Sequence, residues 1–311
     1  MVIGREAASF GIPAEGLLQA IRVGVRIFWT ACVESANAHD VDPRTLVDAA
    51  ELIWGWSDDI GLALVRGHRD IAVEKALEVE HERSKFLLGT LQGSLAGHDL
   101  RRGAELHGLA LEREYVPLRA RAFSDARSAA HCERALRHAF GPATEGVLVC
   151  RVDGDLVGIA PKRPAIDDPE VVVGLGPAAS LERIAPSYGE ALRALEAAAR
   201  FGMRGAFELA DLGLLPSVAD ETSVGERLVA RYLVPFRDGS QTGEQLEQTL
   251  RAYLEGGLRT EAASRALHVH VNTLRNRLRR IEELIGIDFR DPGHIAELWW
   301  ALAYNRISQQ L

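Results

Sequence analysis

Lysine is scarce in this chain, since only three of its 36 basic residues are Lys. We attribute this bias to codon composition and not to a function. The formal net charge is −8 at pH 7 and the sequence pI is about 5.7. Diffuse binding to nucleic acid needs a broadly basic surface, so any contact with DNA has to be local.

Cysteines and long apolar runs are also scarce. Cys32, Cys132 and Cys150 are far apart, odd in number and outside any zinc-ligand spacing, which fits a reducing cytoplasm. The first residues lack the features of a signal peptide, and the apolar stretches are far short of the length that spans a bilayer. We therefore expect a soluble, cytoplasmic protein without a membrane segment.

Catalytic signatures are missing as well. The sequence has no nucleophile elbow and no HExxH run. The run VGLGPAAS follows an apolar stretch, but it lacks the third glycine and the Lys-Ser/Thr pair of a phosphate loop, so turn glycines account for it better. We expect no catalytic residue, no cofactor and no metal.

The remaining composition is that of an ordinary globular chain. At 311 residues, with 47% hydrophobic and 26% charged residues, two or three domains with sizeable cores are expected.

The segment 259–286 carries the clearest pattern. Leu274, Leu278, Ile281 and Ile285 are spaced four, three and four residues apart, which places them on one face of a helix. The other sides of this helix carry amide, hydroxyl and cationic groups: Asn272, Thr273, Arg275, Asn276, Arg277, Arg279 and Arg280. From 265 to 280 there are five arginines and no carboxylate, so the segment is locally +5.

A shorter helical pattern precedes it, with Thr260 as the expected N-cap and small alanines turned inward. Two such helices joined by a turn have the geometry that enters a DNA major groove, where Arg reads guanine, Asn reads adenine, and Thr or an outer Arg holds a phosphate. The alternative is a helical hairpin whose arginines are only a solvated face.

The run LHVHVNTLRNRLRRIEEL, with LEQTLRAYLEGG before it and a DP-containing helix after it, resembles the Fis-type helix-turn-helix of the PucR (CdaR) family of bacterial transcription regulators. The pattern and the resemblance give nine candidate DNA-binding residues: Thr260, His270, Asn272, Thr273, Arg275, Asn276, Arg277, Arg279 and Arg280. His268 occupies a turn position where related motifs often have Gly, which His tolerates because it visits the left-handed region. Val271 and Asn276 replace an Arg and an aromatic residue expected from the family.

Residues 1 to about 115 read as almost wholly helical, with one helix ending near His39, a second starting at Asp42 and Pro43, and a third running to about Leu91. The runs GIPAEGLLQAIRVGVRIFWTAC and GHRDIAVEKALEVEHERSKFLLGTLQG resemble the RsbR-type helical domain that precedes PucR-type cores. The resemblance implies a sensor or dimerisation bundle. The alternative is a structural bundle with its tryptophans in the core.

From about Tyr115 the pattern predicts an α+β sheet with helices on one face, including a hairpin that turns at Asp153-Gly154. The run VGLGPAASLERIAPSYGEALRALEAA resembles a degenerate GGDEF-like domain. Active diguanylate cyclases carry two glycines and an adjacent acid pair in this hairpin, whereas RVDGDL has neither. Asp153 and Asp155 could bind a cation, but a turn Asp bonded to its own backbone is commoner, and no cyclase activity is expected.

The fold class expected is therefore multidomain and mainly α. It comprises a helical sensor or dimerisation domain (1–114), an α+β GGDEF-like domain (115–220), a connecting helix and linker (221–243) and a helix-turn-helix domain (244–311). In the last helix Ile295, Leu298, Trp299 and Leu302 should face the core. Trp300 and Tyr304 fall off that stripe, and we favour a dimer contact for them over ordinary partial exposure.

The expected function is sequence-specific, effector-responsive transcriptional regulation. The expected partners are double-stranded operator DNA, a second copy in a homodimer or tetramer, and an unidentified small-molecule or protein effector. Two alternatives remain open, a nucleotide-handling enzyme built on the middle domain and a protein-interaction signalling module.

Overall fold

The computed structural model describes residues 6, 10–39, 41–123, 128–141 and 144–309. They form two compact units, Met1–Lys85 and Phe86–Leu311. We call these the helical unit and the main unit.

The helical unit is an antiparallel pair of helices, α1 (Ala14–Ala38) and α2 (Pro43–Leu91), the last turns of which lie in the main unit. The pairing places the Trp29 and Trp54 ring centroids 6.0 Å apart and His68 Nε2 3.1 Å from the Ile12 carbonyl oxygen. The two helices predicted between residue 42 and Leu91 are one uninterrupted helix of 49 residues.

The membrane expectation needs a correction at α1. This helix of 25 residues is long and apolar enough to cross a bilayer by length and composition, with a mean hydropathy of 1.3 over its best window. Arg22 and Arg26 lie near its middle and are exposed, and each arginine at a bilayer centre costs about 2.5–3.5 kcal/mol. The apolar surface of α1 is better suited to contact with other helices.

The main unit contains a sheet of six strands: β1 (Glu114–Ala122), β2 (Leu148–Val152), β3 (Asp155–Ala160), β4 (Val171–Leu175), β5 (Ala179–Ser180) and β6 (Gly205–Phe207). The order is β2-β3-β1-β4-β6, with β5 paired to β1, and only the β4–β6 pair is parallel. The predicted hairpin is confirmed, since Val152 pairs with Asp155, and Asp153 and Gly154 have φ of 50° and 86° as in a type I′ turn.

The sheet is covered by helices on both faces, so the prediction of helices on one face was wrong. Helix α3 (Gly97–Leu106) precedes the sheet, α4 (Ser128–Phe140) follows β1, and α5 (Ile184–Arg200) follows a 3₁₀ turn at Leu181–Arg183. Helix α4 packs on the side of Leu118 and Val173, whereas α5 packs on the opposite side, that of Val157 and Val172. The segment from Phe86 to Leu109, expected within the N-terminal domain, contributes to the same core through side chains such as Leu91 and Leu100.

Glycines in the VGLGPAAS run serve helix packing. Gly174 lies in β4, where an added Cβ would overlap the Ala191 carbonyl oxygen and the Leu195 backbone nitrogen of α5. An added Cβ at Gly176 would overlap the Ser187 carbonyl oxygen. The two glycines let α5 approach the sheet closely. Neither interpretation of this run from the sequence, the phosphate loop or the turn, predicted that packing role.

The remaining helices are α6 (Leu209–Leu212), α7 (Leu215–Asp220), α8 (Thr222–Tyr232), α9 (Gln241–Glu255), α10 (Thr260–Ala266), α11 (Val271–Ile285) and α12 (Pro292–Ser308), with a 3₁₀ turn at Val234–Phe236. Tyr232, Leu233 and Phe236 are buried in the core that α9 to α12 enclose. The segment 221–243, expected as a connecting helix and linker, is thus partly core.

We predict that Gly174→Ala lowers the free energy of unfolding by at least about 2 kcal/mol, because α5 must move to admit the methyl group. Gly189→Ala is the matched control, since Gly189 lies within α5 with no atom within 4 Å of an added Cβ. It should raise the free energy of unfolding by about 0.5–1 kcal/mol. Urea denaturation checks both, and equal effects would contradict the packing role.

Candidate nucleic-acid interface

Helices α9 to α12 enclose one apolar core beneath the arginine-rich surface. Leu274, Leu278, Ile281 and Ile285 of α11 are buried there, as predicted. Leu246 and Leu250 of α9 and Ala263 of α10 pack in the same core. The periodicity of α11 therefore fixes which of its sides faces outward.

The turn between α10 and α11 is a Schellman motif. Val269 N–H donates to the Ser264 carbonyl oxygen at 3.0 Å, and His268 N–H to that of Arg265 at 3.3 Å. His268 has φ of 53°, the left-handed conformation expected for it. The motif reverses the chain so that α11 starts at Val271.

The starts of the two helices differ from the prediction in one place. Thr260 is the first residue of α10 and is half-buried. Arg259 holds the N-cap position, without a capping bond from its side chain, so Thr260 is not the cap. His270 caps α11, because its Nδ1 accepts from Asn272 N–H at 3.2 Å. From the sequence we predicted a DNA contact for His270, but not this structural role.

Seven of the nine candidate residues are exposed on the outer side of α11 or at its start: His270, Asn272, Thr273, Arg275, Asn276, Arg279 and Arg280. Arg277 is half-buried and its Nη2 donates to Gln245 Oε1 of α9 at 2.8 Å. Arg280 Nη1 lies 3.3 Å from Glu283 Oε2. The structure thus gives two of the candidate arginines partners within the chain.

The other arginines of this surface keep their charge available. Arg265, Arg275 and Arg279 are exposed, and their side chains have no ion pair or hydrogen-bond partner among the described residues. Arg259 is also exposed, and its Nε donates to the Gly256 carbonyl oxygen at 3.2 Å. Arg259 and Arg265 were absent from the candidate set, although Arg265 begins the stretch 265–280 that contains no carboxylate.

Helix α12 joins this core to the middle domain. Leu298 and Leu302 face the core of α9 to α11, whereas Tyr304 and Ile307 are buried against the middle domain, beside residues such as Val218. Arg306 Nη2 donates to the Phe201 carbonyl oxygen at 3.4 Å. The arginine-rich surface is therefore carried by a body that includes the sheet.

Two predictions about α12 were wrong. Trp299, expected in the core, is 36% exposed, while Trp300 is half-buried and Tyr304 is 8% exposed in the contact with the middle domain. Tyr304 is thus buried within the chain and is not available for a dimer contact. The start of α12 is as expected, since Asp291 caps it by accepting from Gly293 N–H at 2.8 Å.

Nearby, the Tyr232 hydroxyl donates to Glu297 Oε2 of α12. Burial and this hydrogen bond raise the pKa of Tyr232 to about 12. Tyr232 therefore stays a neutral donor at physiological pH and ties the end of α8 to α12.

The acidic residue Asp155 of the β2–β3 hairpin forms ion pairs with two arginines. Asp155 is buried, with Oδ2 2.6 Å from Arg119 Nε and Oδ1 2.9 Å from Arg121 Nε. Arg121 also contacts Glu196 of α5 at 2.9 Å, and its hydrogen bonds to Asp155 raise the pKa of Arg121 above its ordinary value. No cluster of metal-ligating side chains occurs among the described residues. The arrangement of Asp155 is that of a structural ion pair.

The fold of residues 241–308 and its outward arginines define a helix-turn-helix protein. Family models match three successive parts of the chain: the RsbT co-antagonist protein rsbRD N-terminal domain over residues 1–83, a GGDEF-like domain over 92–197 and the PucR C-terminal helix-turn-helix domain over 246–304. The three matches follow the order expected from the sequence, and the C-terminal match is to the PucR type of helix-turn-helix.

Individual relatives match over shorter stretches. An uncharacterized protein in the pkwA 5′ region of Thermomonospora curvata is 36% identical over 78 residues, 25% of this chain and 43% of that protein. An uncharacterized protein of Mycobacterium tuberculosis is 42% identical over 65 residues, 21% of this chain and 16% of that protein. The chain thus spans less than half the length of these curated relatives.

Among solved structures, a regulator of polyketide synthase expression from Bifidobacterium adolescentis matches with 21% identity and a TM-score of 0.31. The match covers 71% of this chain and 96% of that one.

We predict that His268→Gly raises the free energy of unfolding by about 0.5–1 kcal/mol. The left-handed conformation costs a non-glycine residue about 1–2 kcal/mol, and the greater unfolded-chain freedom of Gly offsets part of the gain. His268→Val, whose branched side chain tolerates positive φ poorly, should lower it. Urea denaturation compares the three proteins, and a stabilising Val would contradict the assignment.

We further predict that Asp155→Asn lowers the free energy of unfolding by about 2–3 kcal/mol. This is less than the ~3–5 kcal/mol of a fully buried pair, because Arg119 and Arg121 keep some solvent contact. Asp153→Asn, in the exposed turn of the same hairpin, is the matched control and should leave stability within about 0.5 kcal/mol. A larger loss of unfolding free energy in Asp153→Asn than in Asp155→Asn would contradict the structural role of Asp155.

Proposed function

We propose that the chain is a transcription regulator that binds specific double-stranded DNA sequences through α11. The observation that carries this is the set of exposed arginines without internal partners, Arg265, Arg275 and Arg279, beside exposed amide side chains on one helix surface. A solvated arginine face would normally include acidic neighbours, and residues 265–280 contain none.

The geometry suggests a division of labour. The first turns of a recognition helix reach base edges, which gives Asn272, Arg275 and Asn276 to base reading. Arg279 and Arg280, a turn or more further along, are suited to phosphates, as are Thr260, His270 and Thr273 at the helix starts. Arg277 acts indirectly by holding α9 against α11 through Gln245.

Two exposed arginines extend the proposed surface. Arg259 and Arg265, at the start and the last turn of α10, are placed to contact the backbone on either side of the groove. Their inclusion raises the number of available cations by two, and Glu261 is the one carboxylate in the sequence between them.

Pairing of two chains is part of the proposal. A single helix-turn-helix rarely provides enough affinity, and two of them read half-sites about 34–36 Å apart or multiples of that distance. The acidic remainder of the chain adds no general attraction to DNA, so duplicated local contacts are needed. We propose a homodimer or a higher oligomer.

We also propose that the chain responds to an effector in the cytoplasm. Two further domains precede the helix-turn-helix, and they offer a surface to which a small molecule or a protein partner can bind. Screening small-molecule pools for a change in the DNA affinity of the purified chain tests this. If no pool changes that affinity, the small-molecule form of the proposal fails.

A nucleotide-handling enzyme on the middle domain is the weaker candidate, because Asp155 is held by two arginines. Nucleotide turnover with magnesium that is abolished by Asp153→Ala would favour it. A purely protein-interaction role would instead follow if the chain selected no sequence from a random pool of duplexes.

We predict that Arg275→Ala and Asn272→Ala each reduce discrimination between the selected site and its single-base variants by about 1–3 kcal/mol. Arg280→Ala should weaken binding to all duplexes similarly and lower the slope of log affinity against log salt by about 1. Competition binding at several salt concentrations measures both effects.

Arg102→Ala is the charge control, because Arg102 is an exposed arginine on α3, outside the helix-turn-helix. It should leave both discrimination and salt slope unchanged. Unaltered affinity in all three α11 variants would refute the proposed interface.

A further inference from the structure

An open pocket lies within the main unit, where the first turns of α12 meet the end of α9 and the residue before α7. Its volume is about 440 Å³, within the ~300–1,000 Å³ of sites that hold small molecules. Its lining includes Leu214, Leu254, Leu258, Arg290, Ile295 and Trp299. We call it the α12 pocket.

The α12 pocket gathers apolar surface that the main unit leaves uncovered. Six large apolar residues are exposed in the described part of this unit, and three of them line the pocket: Leu214 at 58%, Leu258 at 38% and Trp299 at 36% exposure. They come from three separate segments but border one cavity. The exposure of Trp299, which was expected in the core, is therefore that of a pocket wall, and apolar surface concentrated in this way is typical of a binding site.

One cation lies at this apolar surface. Arg290 lines the pocket and is exposed, and its side chain has no ion pair or hydrogen-bond partner among the described residues. The carboxylates next to it in the sequence accept backbone hydrogen bonds instead. Asp288 Oδ1 accepts from Arg290 N–H, and Asp291 Oδ1 accepts from Gly293 N–H, each at 2.8 Å. The guanidinium of Arg290 is thus available to an anion in the pocket.

The turn after α9 holds Leu258 at the pocket in an unfavourable backbone conformation. Leu258 has φ of 60°, and its N–H donates to the Tyr253 carbonyl oxygen at 2.9 Å. This left-handed conformation suits glycine and is rare for a bulky residue. Backbone strain of this kind clusters at ligand sites and switch regions. The residue that follows is Arg259, the N-cap of α10.

We propose that the α12 pocket binds a small apolar carboxylic acid, with the carboxylate on Arg290 and the apolar body against Leu258 and Trp299. The guanidinium presents two parallel N–H donors that match the two oxygens of a carboxylate. Eight of the nine lining residues are apolar, which suits an apolar body and disfavours a ligand that is polar throughout.

The position of the pocket makes it the effector site of the chain, a conclusion that rests on the proposed DNA-binding function. A bound acid contacts Leu214, α12 and the turn that leads into α10, where Arg259 is a proposed backbone contact to DNA. The acid favours the arrangement of this turn that places Leu258 against it. Its differential affinity for the two arrangements of the turn sets how far it shifts the affinity for DNA.

Isothermal titration calorimetry of the full chain tests the site, with decanoate, 2-naphthoate and the neutral amides of both acids as probes. We expect a dissociation constant at or below about 1 mM for at least one acid. Its amide should bind at least about 10-fold more weakly, because charge-assisted hydrogen bonds to arginine are stronger than neutral ones. A wild type that binds neither acid, or that binds acid and amide equally, overturns the proposal.

Two variants locate the binding. Arg290→Gln should weaken the acid by about 10-fold and remove its advantage over the amide. Arg102→Gln is the matched control, because Arg102 is an exposed arginine on α3 outside the pocket, and it should bind like the wild type. Ala296→Trp fills the pocket from an exposed position on α12 and should abolish binding of acid and amide alike.

Circular dichroism checks that each variant is folded. Wild-type affinity for the acid in Arg290→Gln overturns the proposal, and so does wild-type affinity in a folded Ala296→Trp. If Ala296→Trp is unfolded, Arg290→Gln decides alone. A chain mass that falls in Ala296→Trp by light scattering, while the wild type binds no acid, would assign the pocket to a contact between chains and likewise overturn the proposal.

Binding to DNA separates the site from the proposed function. Saturating acid should change the DNA affinity of the wild type by at least about 5-fold and leave that of Arg290→Gln unchanged. An acid that binds without changing the DNA affinity overturns the effector role. If the chain selects no duplex, the proposed function fails while calorimetry still decides the pocket.

Discussion

Helix α12 has almost no polar side, and the arrangement of the main unit follows from the need to bury it. Leu298 and Leu302 complete the core of the helix-turn-helix, while Tyr304 and Ile307 complete a core that belongs to the sheet and α5. Burying each such side chain contributes about 1.5–3 kcal/mol. Separating the two cores would forfeit several of these contributions together. Helix α11 is consequently fixed to the middle domain through α12.

Periodic patterns within one element were predictable from the sequence, because their cause is local. The buried stripe of α11, the Asp153-Gly154 turn and the left-handed His268 each depend on residues within a few positions. Each was confirmed. The assignment of the nine candidate residues as DNA contacts stays a prediction. The structure adds an internal role for two of them, His270 and Arg277.

Features that depend on distant partners were not predictable. Arg119 and Arg121 alternate with small apolar residues along β1, which makes the strand look half-solvated and suggests helices on one face only. Their charges are compensated by Asp155, more than 30 residues away, so that face also carries a helix. The burial of Trp299 and Trp300 was unpredictable for the same reason. Which tryptophan is buried depends on where the core of the middle domain lies beside α12.

Under the proposed function, the overall acidity of the chain makes the arginine surface more specific for DNA. With a net charge of −8, the protein as a whole has no general attraction for the phosphate backbone, whereas the side of α11 presents arginines in a stretch without a carboxylate. Orientations of the protein that turn α11 away from the DNA are thus disfavoured by charge before any base is contacted. This charge preference lowers the affinity of non-specific complexes. Arginines already paired within the chain, such as Arg119 and Arg121, add nothing to this field at a distance. The few unpaired arginines near α11 therefore matter more to where the chain binds than the total number of basic residues does.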